Sequence, residues 1–385
     1  MKILIILPRF PFPLEKGDKL RAYHFIKYLS KQHELILFAL NDTRVKREYL
    51  EEINPFCKKI KITRIRRCIA YFNIIKAFFN GLPLQSGYFY SSKAKKEIYK
   101  LIEIHQPDYI FCQLIRIADY VKDIKIPKIL DYQDAFSAGA LRRMQIVPQP
   151  LKFILGLEYK RLQFYEKYCF DYFDHKIIIS KTDRDLINHP KNHEIQIISN
   201  GVDTDYYKAS EQEKTTDLLF TGNMAYPPNV HGVKYLVEQI LPLVKKKYPG
   251  IRLLIAGAHP HHSIRALKSA NVEVSGWIED MRDCYAKSRV FIAPMLIGAG
   301  LQNKLLEAMS MGLPCITSPL ANSALEAKEN VEILVGSSVE QYAGHVFRLL
   351  EDPEYAKELG IQGKRFVIKN YSWDSAGEKL NQLLC

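Results

Sequence analysis

Short runs of apolar residues alternate with amphipathic stretches along the whole chain. Most of these runs are continuous in β-branched residues and leucine, which is typical of strands buried on both faces of a parallel sheet. The strand-length runs lie at residues 3–7, 34–40, 60–65, 109–114, 128–131, 176–180, 195–199, 217–221, 251–256, 272–275, 289–293, 314–317 and 331–335. Helical periodicity is clearest at 18–31, 94–105, 149–172, 231–247 and 302–311. The alternation predicts an α/β protein with parallel sheets.

The length of the chain and the number of strands both favour two domains. A chain of 385 residues exceeds what one ordinary core supports, and thirteen strands exceed one typical sheet. A polar segment near residues 187–215 separates the two groups of strands. We therefore expect one doubly wound domain at residues 1–190 and a second at 191–366. The residues that remain, 367–385, predict a C-terminal helix with no strand after it.

The net charge of +13 bears on partners rather than on fold. It suits a nucleotide sugar, nucleic acid or an anionic membrane surface. Basic residues cluster at 58–67 and precede an aromatic-rich amphipathic segment at 69–79. That sequence is typical of a helix lying in a lipid interface. It is also typical of a helix that packs on the core and turns a charged face to solvent, so both interpretations stay open.

The remaining composition points to a cytoplasmic protein. No apolar run approaches the roughly 20 residues that span a bilayer. The apolar run at 3–7 is ended by Pro8 and Arg9, so we interpret it as a buried strand and not as a signal peptide. The seven cysteines have neither paired nor metal-binding spacing, which is typical of small core residues in a reducing compartment.

Residues 298–314, GAGLQNKLLEAMSMGLP, form the most informative motif. Gly298 and Gly300 end a strand-like run and open a helix, and the free N–H groups of such a junction bind phosphate readily. Glu307 follows two turns later among apolar neighbours, where a carboxylate must be hydrogen-bonded or paired. This arrangement would suit a nucleoside diphosphate whose ribose hydroxyls reach Glu307. An ordinary intrahelical ion pair between Lys304 and Glu307 is the simpler alternative.

The motifs resemble those of glycosyltransferase family 4, a group of retaining, nucleotide-sugar-dependent enzymes. The resemblance covers essentially the whole chain and is densest in the second half. It rests there on Asn200-Gly201-Val202-Asp203, Leu219-Phe220-Thr221-Gly222-Asn223, Leu254-Ile255-Ala256-Gly257, Val274-Ser275-Gly276-Trp277 and the segment 298–314. In the first half it rests on Gly17-Asp18, Arg21, Asp131-Tyr132-Gln133-Asp134 and Ser180-Lys181-Thr182-Asp183. It implies the GT-B fold, in which two Rossmann-like doubly wound domains face each other across a cleft and the C-terminal helix crosses back to the first domain.

The resemblance also implies a donor site. The family's glutamate that holds the donor ribose corresponds to Glu307, and Trp277 would lie beside the nucleobase. Lys304 is the best local cation for the diphosphate, and Arg21 could reach it from the first domain. The full set of expected donor-binding residues is Gly17, Asp18, Arg21, Gly222, Asn223, Trp277, Gly298, Gly300, Lys304 and Glu307.

The chain departs from the family pattern at three places. The common Gly-Gly pair near the N-terminus is Gly17-Asp18. Ala299 stands where the family often has a glutamate that contacts the sugar. After Gly222, where an arginine and a lysine usually neutralise the diphosphate, the chain has Asn223, Asn229 and His231. These changes suggest an alternative arrangement around the donor.

Asp131 and Asp134 are the candidate catalytic residues, because they end a strand of the first domain and such strand ends face the ligand crevice. One of them would contact the transferred sugar or the acceptor hydroxyl, although an N-cap for the next helix is an equally good interpretation. Asp203 and Asp205 form an Asp-x-Asp pattern after Asn-Gly, which predicts a capped turn rather than a metal site. We expect no metal and no cofactor.

The function that follows from the resemblance is retaining transfer of a sugar from a nucleotide-diphosphate donor to a glycan or a lipid-linked acceptor, in polysaccharide or cell-surface glycan biosynthesis. The enzyme would be cytoplasmic and peripheral on the inner membrane face. Two other classes stay open, a noncatalytic GT-B scaffold and a nucleic-acid-binding or nucleic-acid-modifying protein. The second is the weaker, because the basic residues are spread without the aromatic stacking motifs of single-strand binders.

Overall fold

The chain forms two compact units in a computed structural model, which describes residues 1–14, 16–146, 148–208, 212–297 and 301–384. The first unit runs from Met1 to Asn200 and includes the residues from Ala376 onwards, and the second is Gly201–Ser375. The division falls at 200/201 rather than 190/191, because Gln196–Ile197 still pairs in parallel with His175–Ile178 of the first sheet.

The first unit contains a seven-stranded parallel sheet. Its strands are β1 (Lys2–Leu7), β2 (Glu34–Asn41), β3 (Lys59–Arg64), β4 (Tyr109–Gln113), β5 (Lys128–Gln133), β6 (His175–Ile178) and β7 (Gln196–Ile197). They lie in the order β3-β2-β1-β4-β5-β6-β7, so the direction of winding reverses between β1 and β4. The carboxyl ends of the strands at such a reversal form a crevice where ligands bind in open α/β sheets.

Helices cover the two faces of this sheet. They are α1 (Gly17–Leu29), α2 (Arg47–Ile53), α3 (Arg67–Phe79), α4 (Leu84–Phe89), α5 (Ser92–His105), α6 (Phe136–Ile146), α7 (Leu151–Phe170) and α8 (Lys181–Leu186), with 3₁₀ turns at Asn54–Phe56, Ile115–Tyr120 and Asn192–Glu194. The central strands are almost wholly buried, since β1 and β2 expose none of the apolar side chains between Ile3 and Leu7 or between Leu35 and Leu40. Burial on both faces accounts for their continuous apolar sequences.

The second unit contains a six-stranded parallel sheet. Its strands are β8 (Thr216–Thr221), β9 (Leu253–Ala256), β10 (Val272–Gly276), β11 (Ser288–Ala293), β12 (Cys315–Thr317) and β13 (Leu334–Val335). The order β10-β9-β8-β11-β12-β13 reverses between β8 and β11. Both units therefore have the doubly wound, Rossmann-like arrangement that the strand pattern predicts.

The helices after β8 belong to the second unit as far as the start of the last helix, which passes into the first unit. They are α9 (Pro227–Tyr235), α10 (Leu241–Lys247), α11 (His262–Arg265), α12 (Met281–Lys287), α13 (Asn303–Ser310), α14 (Pro319–Leu325), α15 (Val339–Glu351), α16 (Pro353–Tyr371) and α17 (Trp373–Asn381), with a π-helical segment, Leu236–Ile240, between α9 and α10. No described helix is both long enough and apolar enough to cross a bilayer.

The chain returns to the first unit within α17, and not at residue 367, because α16 continues to Tyr371 in the second unit. Gly377 lies directly against Tyr28, since a Cβ atom at Gly377 would come within 2.2 Å of Tyr28 Cγ. The Asn381 side chain also hydrogen-bonds to His33 Nε2 at 2.6 Å. Close packing on α1 thus holds the end of the chain.

Candidate active site

Glu307 lies in the middle of α13 and is held by residues from two other segments. The Tyr285 hydroxyl of α12 donates a hydrogen bond to Glu307 Oε2 at 2.7 Å. That hydroxyl is also 2.9 Å from Thr221 Oγ1, at the end of β8, and the Tyr207 side chain lies close to the carboxylate. Burial raises the pKa of Glu307, while the two tyrosines and Lys304 oppose that rise. The carboxylate is therefore fixed in position at the carboxyl end of the second sheet.

Lys304 lies one turn before Glu307 and is a buried cation. Its amine donates to Asn229 Oδ1 of α9 and lies 3.8 Å from Met295 Sδ and 4.8 Å from the centroid of the Phe220 ring. In the described part of the chain no carboxylate forms an ion pair with this amine, so the intrahelical pair with Glu307 is not the observed arrangement. Burial lowers the pKa of Lys304 to about 8. A desolvated cation without an ion-pair partner has strong affinity for an anionic ligand.

Gly222 and Asn223 form the tight loop that follows β8. Gly222 has φ +148°, and a Cβ atom there would come within 2.6 Å of Asn229 Nδ2 and 3.4 Å of Lys304 Nζ. Asn229 Nδ2 donates to the Asn223 carbonyl oxygen at 2.9 Å. Only glycine fits at position 222, because the backbone passes directly beside the Asn229–Lys304 pair. The structure thus brings together four expected donor-binding residues, Gly222, Asn223, Lys304 and Glu307.

The structure describes only some of the other expected residues of the second unit. Trp277 follows β10 and is 72% exposed. Gly298 and Gly300 lie outside the described residues, so the loop expected beneath the diphosphate stays a prediction. Asp203 Oδ1 accepts hydrogen bonds from the backbone N–H groups of Asp205 and Tyr206 at 3.1 and 2.9 Å. These bonds confirm the capped turn at Asp203.

Arg21 and Asp131 form a buried ion pair inside the first unit. Arg21 Nε and Nη2 donate to the two oxygens of Asp131 at 2.7 and 3.3 Å, and both side chains are fully buried. Arg21 Nη1 also donates to Asn200 Oδ1 at 3.1 Å. The expectation that Arg21 binds the donor and Asp131 the reacting sugar therefore needs correction, because each already satisfies the other. The pair joins α1 to β5 and is a structural element of the first unit.

The remaining candidates of the first unit lie at the carboxyl edge of its sheet. Gly17 begins α1 and is exposed. The Asp18 carboxylate accepts a hydrogen bond from Arg9 Nη1 at 2.8 Å. The backbone carbonyl oxygen of Asp18 accepts one from Gln113 Nε2 at 2.9 Å. Asp134 follows β5, is exposed, and donates its backbone N–H to the Tyr132 carbonyl oxygen at 2.9 Å. Of the two catalytic candidates, only Asp134 presents its side chain to solvent.

Three contributors to the site had no clear signal in the sequence. Tyr207 and Tyr285 lie far from Glu307 along the chain, and single tyrosines at those positions match no motif. Asn229 stands out only as one of the residues that replace the usual cations after Gly222. The structure gives it a definite role, since it holds the Lys304 amine beside the glycine loop.

Comparison with known proteins matches the region that contains this site to a family model. Residues 215–352 match the family model described as Glycosyl transferases group 1. An uncharacterised 44.6 kDa protein from the cps region of Klebsiella pneumoniae is 24% identical over 393 residues, which cover 96% of each chain. A GDP-mannose-dependent monoacylated alpha-(1-6)-phosphatidylinositol monomannoside mannosyltransferase from Corynebacterium glutamicum is 29% identical over 157 residues, or 37% of this chain and 41% of that protein.

A solved structure extends the likeness to both units. Anabaena HepE in complex with UDP has a TM-score of 0.68 to this chain, with 12% sequence identity and coverage of 100% of this chain and 99% of that one. The identity is low, so the match speaks for the fold alone. Together with the family model, which spans β8 to α15 and includes Lys304 and Glu307, it shows a chain with the GT-B fold whose second unit contains a glycosyl transferases group 1 domain.

Proposed function

We propose that this chain transfers a sugar, with retention of anomeric configuration, from a nucleotide-diphosphate donor to a glycan or a lipid-linked acceptor of the cell surface. The observation that carries the proposal is the buried Lys304 amine beside the Gly222 loop, one turn from the fixed Glu307 carboxylate. The relatives support it, since HepE was solved with UDP, the Corynebacterium enzyme uses GDP-mannose, and the Klebsiella protein is from a cps region. Retention rests on the family resemblance.

Each group of the cluster supplies one part of the chemistry of transfer. The leaving diphosphate develops negative charge, which the Lys304 ammonium and the N-terminal end of α13 would stabilise. Glu307 would accept hydrogen bonds from the ribose hydroxyls and so fix the donor relative to Lys304. Because the protein supplies a cation, the diphosphate needs no divalent metal for charge neutralisation.

A donor screen tests this proposal. The full-length protein is incubated with UDP- and GDP-sugars, and nucleotide release is followed with and without EDTA. We expect release from one nucleotide class, unchanged by the chelator. Activity that EDTA abolishes and manganese restores would contradict metal independence. A chain that neither turns over any nucleotide sugar nor is stabilised thermally by any nucleotide would instead favour the noncatalytic scaffold.

The pKa of Lys304 gives a pH prediction for donor binding. The amine loses its charge as pH rises through about 8, so nucleoside diphosphate affinity should weaken from there, approaching about tenfold per pH unit. The stability of the unliganded protein should change in the opposite direction. Its folded state disfavours the charged amine, so this contribution to the unfolding free energy rises between pH 8 and the ordinary pKa of 10.5. Calorimetric titration with the nucleoside diphosphate between pH 6.5 and pH 9.5, at roughly half-unit steps, would measure the change in affinity. Affinity that stays constant above pH 8 would contradict the role of Lys304.

We also propose that the protein docks on an anionic membrane through α3 and α7. Large apolar side chains are exposed on α3, where Phe72 and Phe79 are 68 and 80% exposed. They continue onto α7, whose Phe153 and Phe164 are also exposed. The two helices are joined, because Arg161 Nη2 of α7 donates to the Phe78 carbonyl oxygen of α3 at 2.7 Å. We call this surface the α3–α7 face; it is formed by Ile69, Tyr71, Phe72, Ile75, Phe79, Leu151, Phe153, Phe164 and Tyr168.

The charges on the α3–α7 face are of one sign. The exposed cations are Arg66, Arg67, Lys76, Lys152, Lys160 and Lys167. Helix α3 has no acidic residue, and both glutamates of α7 are buried, with Glu158 accepting from Leu84 N and Glu166 from Ser137 N. The sequence pattern placed the basic cluster at 58–67, but Lys58 and Lys61 pair with Glu34 and Glu97. The membrane-binding charge therefore lies on the two helices.

Vesicle flotation tests the docking. Wild-type protein should float with phosphatidylglycerol vesicles and not with pure phosphatidylcholine vesicles. Each cation near an anionic surface contributes roughly 1 kcal/mol, so changing Arg66, Arg67 and Lys76 to glutamate should weaken binding by roughly 100-fold or more. The matched control changes three exposed lysines of the second unit, Lys245, Lys246 and Lys268, to glutamate. Equal loss in both variants would mean that only total charge matters, and the α3–α7 face would be the wrong surface.

A further inference from the structure

A cavity of about 240 Å³ lies in the first unit, between α3, α4 and the segment after β4. Arg116, Lys76 and Asn73 line it together with Ser86 and Tyr165. It is smaller than the 300–1,000 Å³ of ordinary small-molecule pockets, so it suits one compact group rather than a whole ligand. We call it the Arg116 cavity. The function proposed above does not use it.

The cavity contains the Arg116 guanidinium, of which only Nε donates a side-chain hydrogen bond to another described residue. Arg116 Nε donates to Gln85 Oε1 at 2.7 Å, and its guanidinium lies 4.7 Å from the Phe136 ring centroid. The nearby Asp18 carboxylate is already paired with Arg9, at 2.8 Å. Burial, together with the charge of Arg9, lowers the pKa of Arg116 to about 10. Asp119 also lines the cavity, but it is paired with Lys122 at 3.1 Å. Arg116 and Lys76 therefore leave a surplus of positive charge that a phosphate group would satisfy.

The entrance to the cavity adjoins an apolar surface. Leu82 and Tyr90 line it and are 44 and 40% exposed. Asn73 and Lys76 reach it from α3, whose other side presents Phe72 and Phe79 of the α3–α7 face. A molecule with a phosphate head and a hydrocarbon chain could place its head in the cavity and its chain along this surface. A free sugar or an inorganic anion would use only the first of these features.

We propose that the Arg116 cavity binds the phosphate-bearing head of a lipid-linked acceptor, with Arg116 and Lys76 contacting the phosphate. The inference rests on the proposed glycosyltransferase function and names the class of its acceptor. The cavity lies beside the carboxyl end of β4, at the reversal of the first sheet, where an acceptor is expected.

Calorimetric titration of the full-length protein with farnesyl diphosphate tests the proposal, with inorganic pyrophosphate as a second titrant. Wild type should bind farnesyl diphosphate at least about tenfold more tightly than pyrophosphate, because the chain adds apolar contact. Changing Arg116 to glutamine should weaken farnesyl diphosphate binding by about tenfold or more. The matched control, Arg47→Gln, removes a highly exposed arginine of the same unit and should leave binding unchanged. Equal affinity for the two titrants would mean that the site takes free phosphate, and equal binding by wild type and Arg116→Gln would overturn the proposal.

Lys76→Gln keeps the test informative if Arg116→Gln fails to fold. Lys76 lines the cavity and is exposed, so the melting temperature should stay the same while farnesyl diphosphate binds several-fold more weakly. Unchanged binding would contradict the proposed contact between Lys76 and the phosphate.

Titration of the same variants with UDP or GDP separates this inference from the proposed function. Lys304→Met should weaken UDP or GDP binding and leave farnesyl diphosphate binding intact, and Arg116→Gln should do the reverse. If farnesyl diphosphate binding is instead lost in Lys304→Met, the lipid has entered the donor site and the cavity assignment is wrong. If no nucleotide binds wild type, the donor assignment fails independently of the cavity.

Discussion

Replacing Glu307 by alanine should remove most of the affinity for the donor nucleotide and leave the fold intact. The carboxylate is held by Tyr285 and would accept charge-assisted hydrogen bonds from the ribose, each contributing about 1.5–3 kcal/mol. Loss of one such bond corresponds to about 10- to 150-fold weaker binding. The melting temperature should change little, because Tyr285 keeps Thr221 as a partner and the cost of burying a charge disappears. Calorimetry with UDP and GDP, alongside thermal unfolding, measures both quantities.

Glu307→Gln is the control for this change. The amide keeps the shape of the side chain and one acceptor oxygen, so its loss of affinity should lie between those of wild type and Glu307→Ala. An alanine variant that binds the nucleotide as tightly as wild type would remove Glu307 from the donor site.

Replacing Asp131 by alanine should destabilise the first unit by about 3–5 kcal/mol, because Arg21 would remain as a buried charge without its partner. Chemical denaturation followed by circular dichroism gives the change in unfolding free energy. A catalytic Asp131 would behave differently, with lost turnover and unchanged stability. In our account the turnover of the protein that remains folded stays within a few-fold of wild type.

The double variant Arg21→Met with Asp131→Leu separates the ion pair from the packing around it. Two apolar residues of similar volume leave no unpaired charge, so much of the lost stability should return. If the double variant is as unstable as the sum of the two single changes, the pairing is not what stabilises this region.

The strands could be predicted closely from the sequence, for a physical reason. A strand buried on both faces of a parallel sheet must be apolar at every position, so β1, β2 and β11 appear as continuous apolar runs with few polar interruptions. The apolar runs predict the bounds of the edge strands less well. Strand β13 is only Leu334–Val335, while the apolar run at 331–335 is longer, because its first residues lie in the turn before the strand.

The two units could be anticipated but not their exact division. Strand β7 is two residues long, and its membership of the first sheet depends on pairing with β6, which no local pattern records. The end of the chain shows the same limit. Helices α16 and α17 are separated at Ser372, and the return to the first unit depends on the packing of Gly377 against Tyr28.

The candidate site was predictable where its residues share one helix. Lys304 and Glu307 are neighbours on α13 by their spacing alone, and the apolar residues around them indicate burial. Their partners come from other elements, so the roles of Asn229 and Tyr285 emerge only in three dimensions. The prediction that Arg21 binds the donor failed because its partner could not be seen from the local sequence. A basic residue near an expected ligand crevice suggested anion binding, whereas its neutralising partner, Asp131, lies in a strand that is distant along the chain.

The measurement that tests the central claim most directly is a thermodynamic cycle between Glu307 and the ribose hydroxyls. Wild type and Glu307→Ala are each titrated with the nucleoside diphosphate that binds best and with its 2′,3′-dideoxy form. Wild type should bind the dideoxy form about 10- to 150-fold more weakly, whereas Glu307→Ala should discriminate between the two ligands by no more than about threefold. Equal discrimination by both proteins would show that another group holds the ribose, and the donor site proposed at Lys304 and Glu307 would then be wrong.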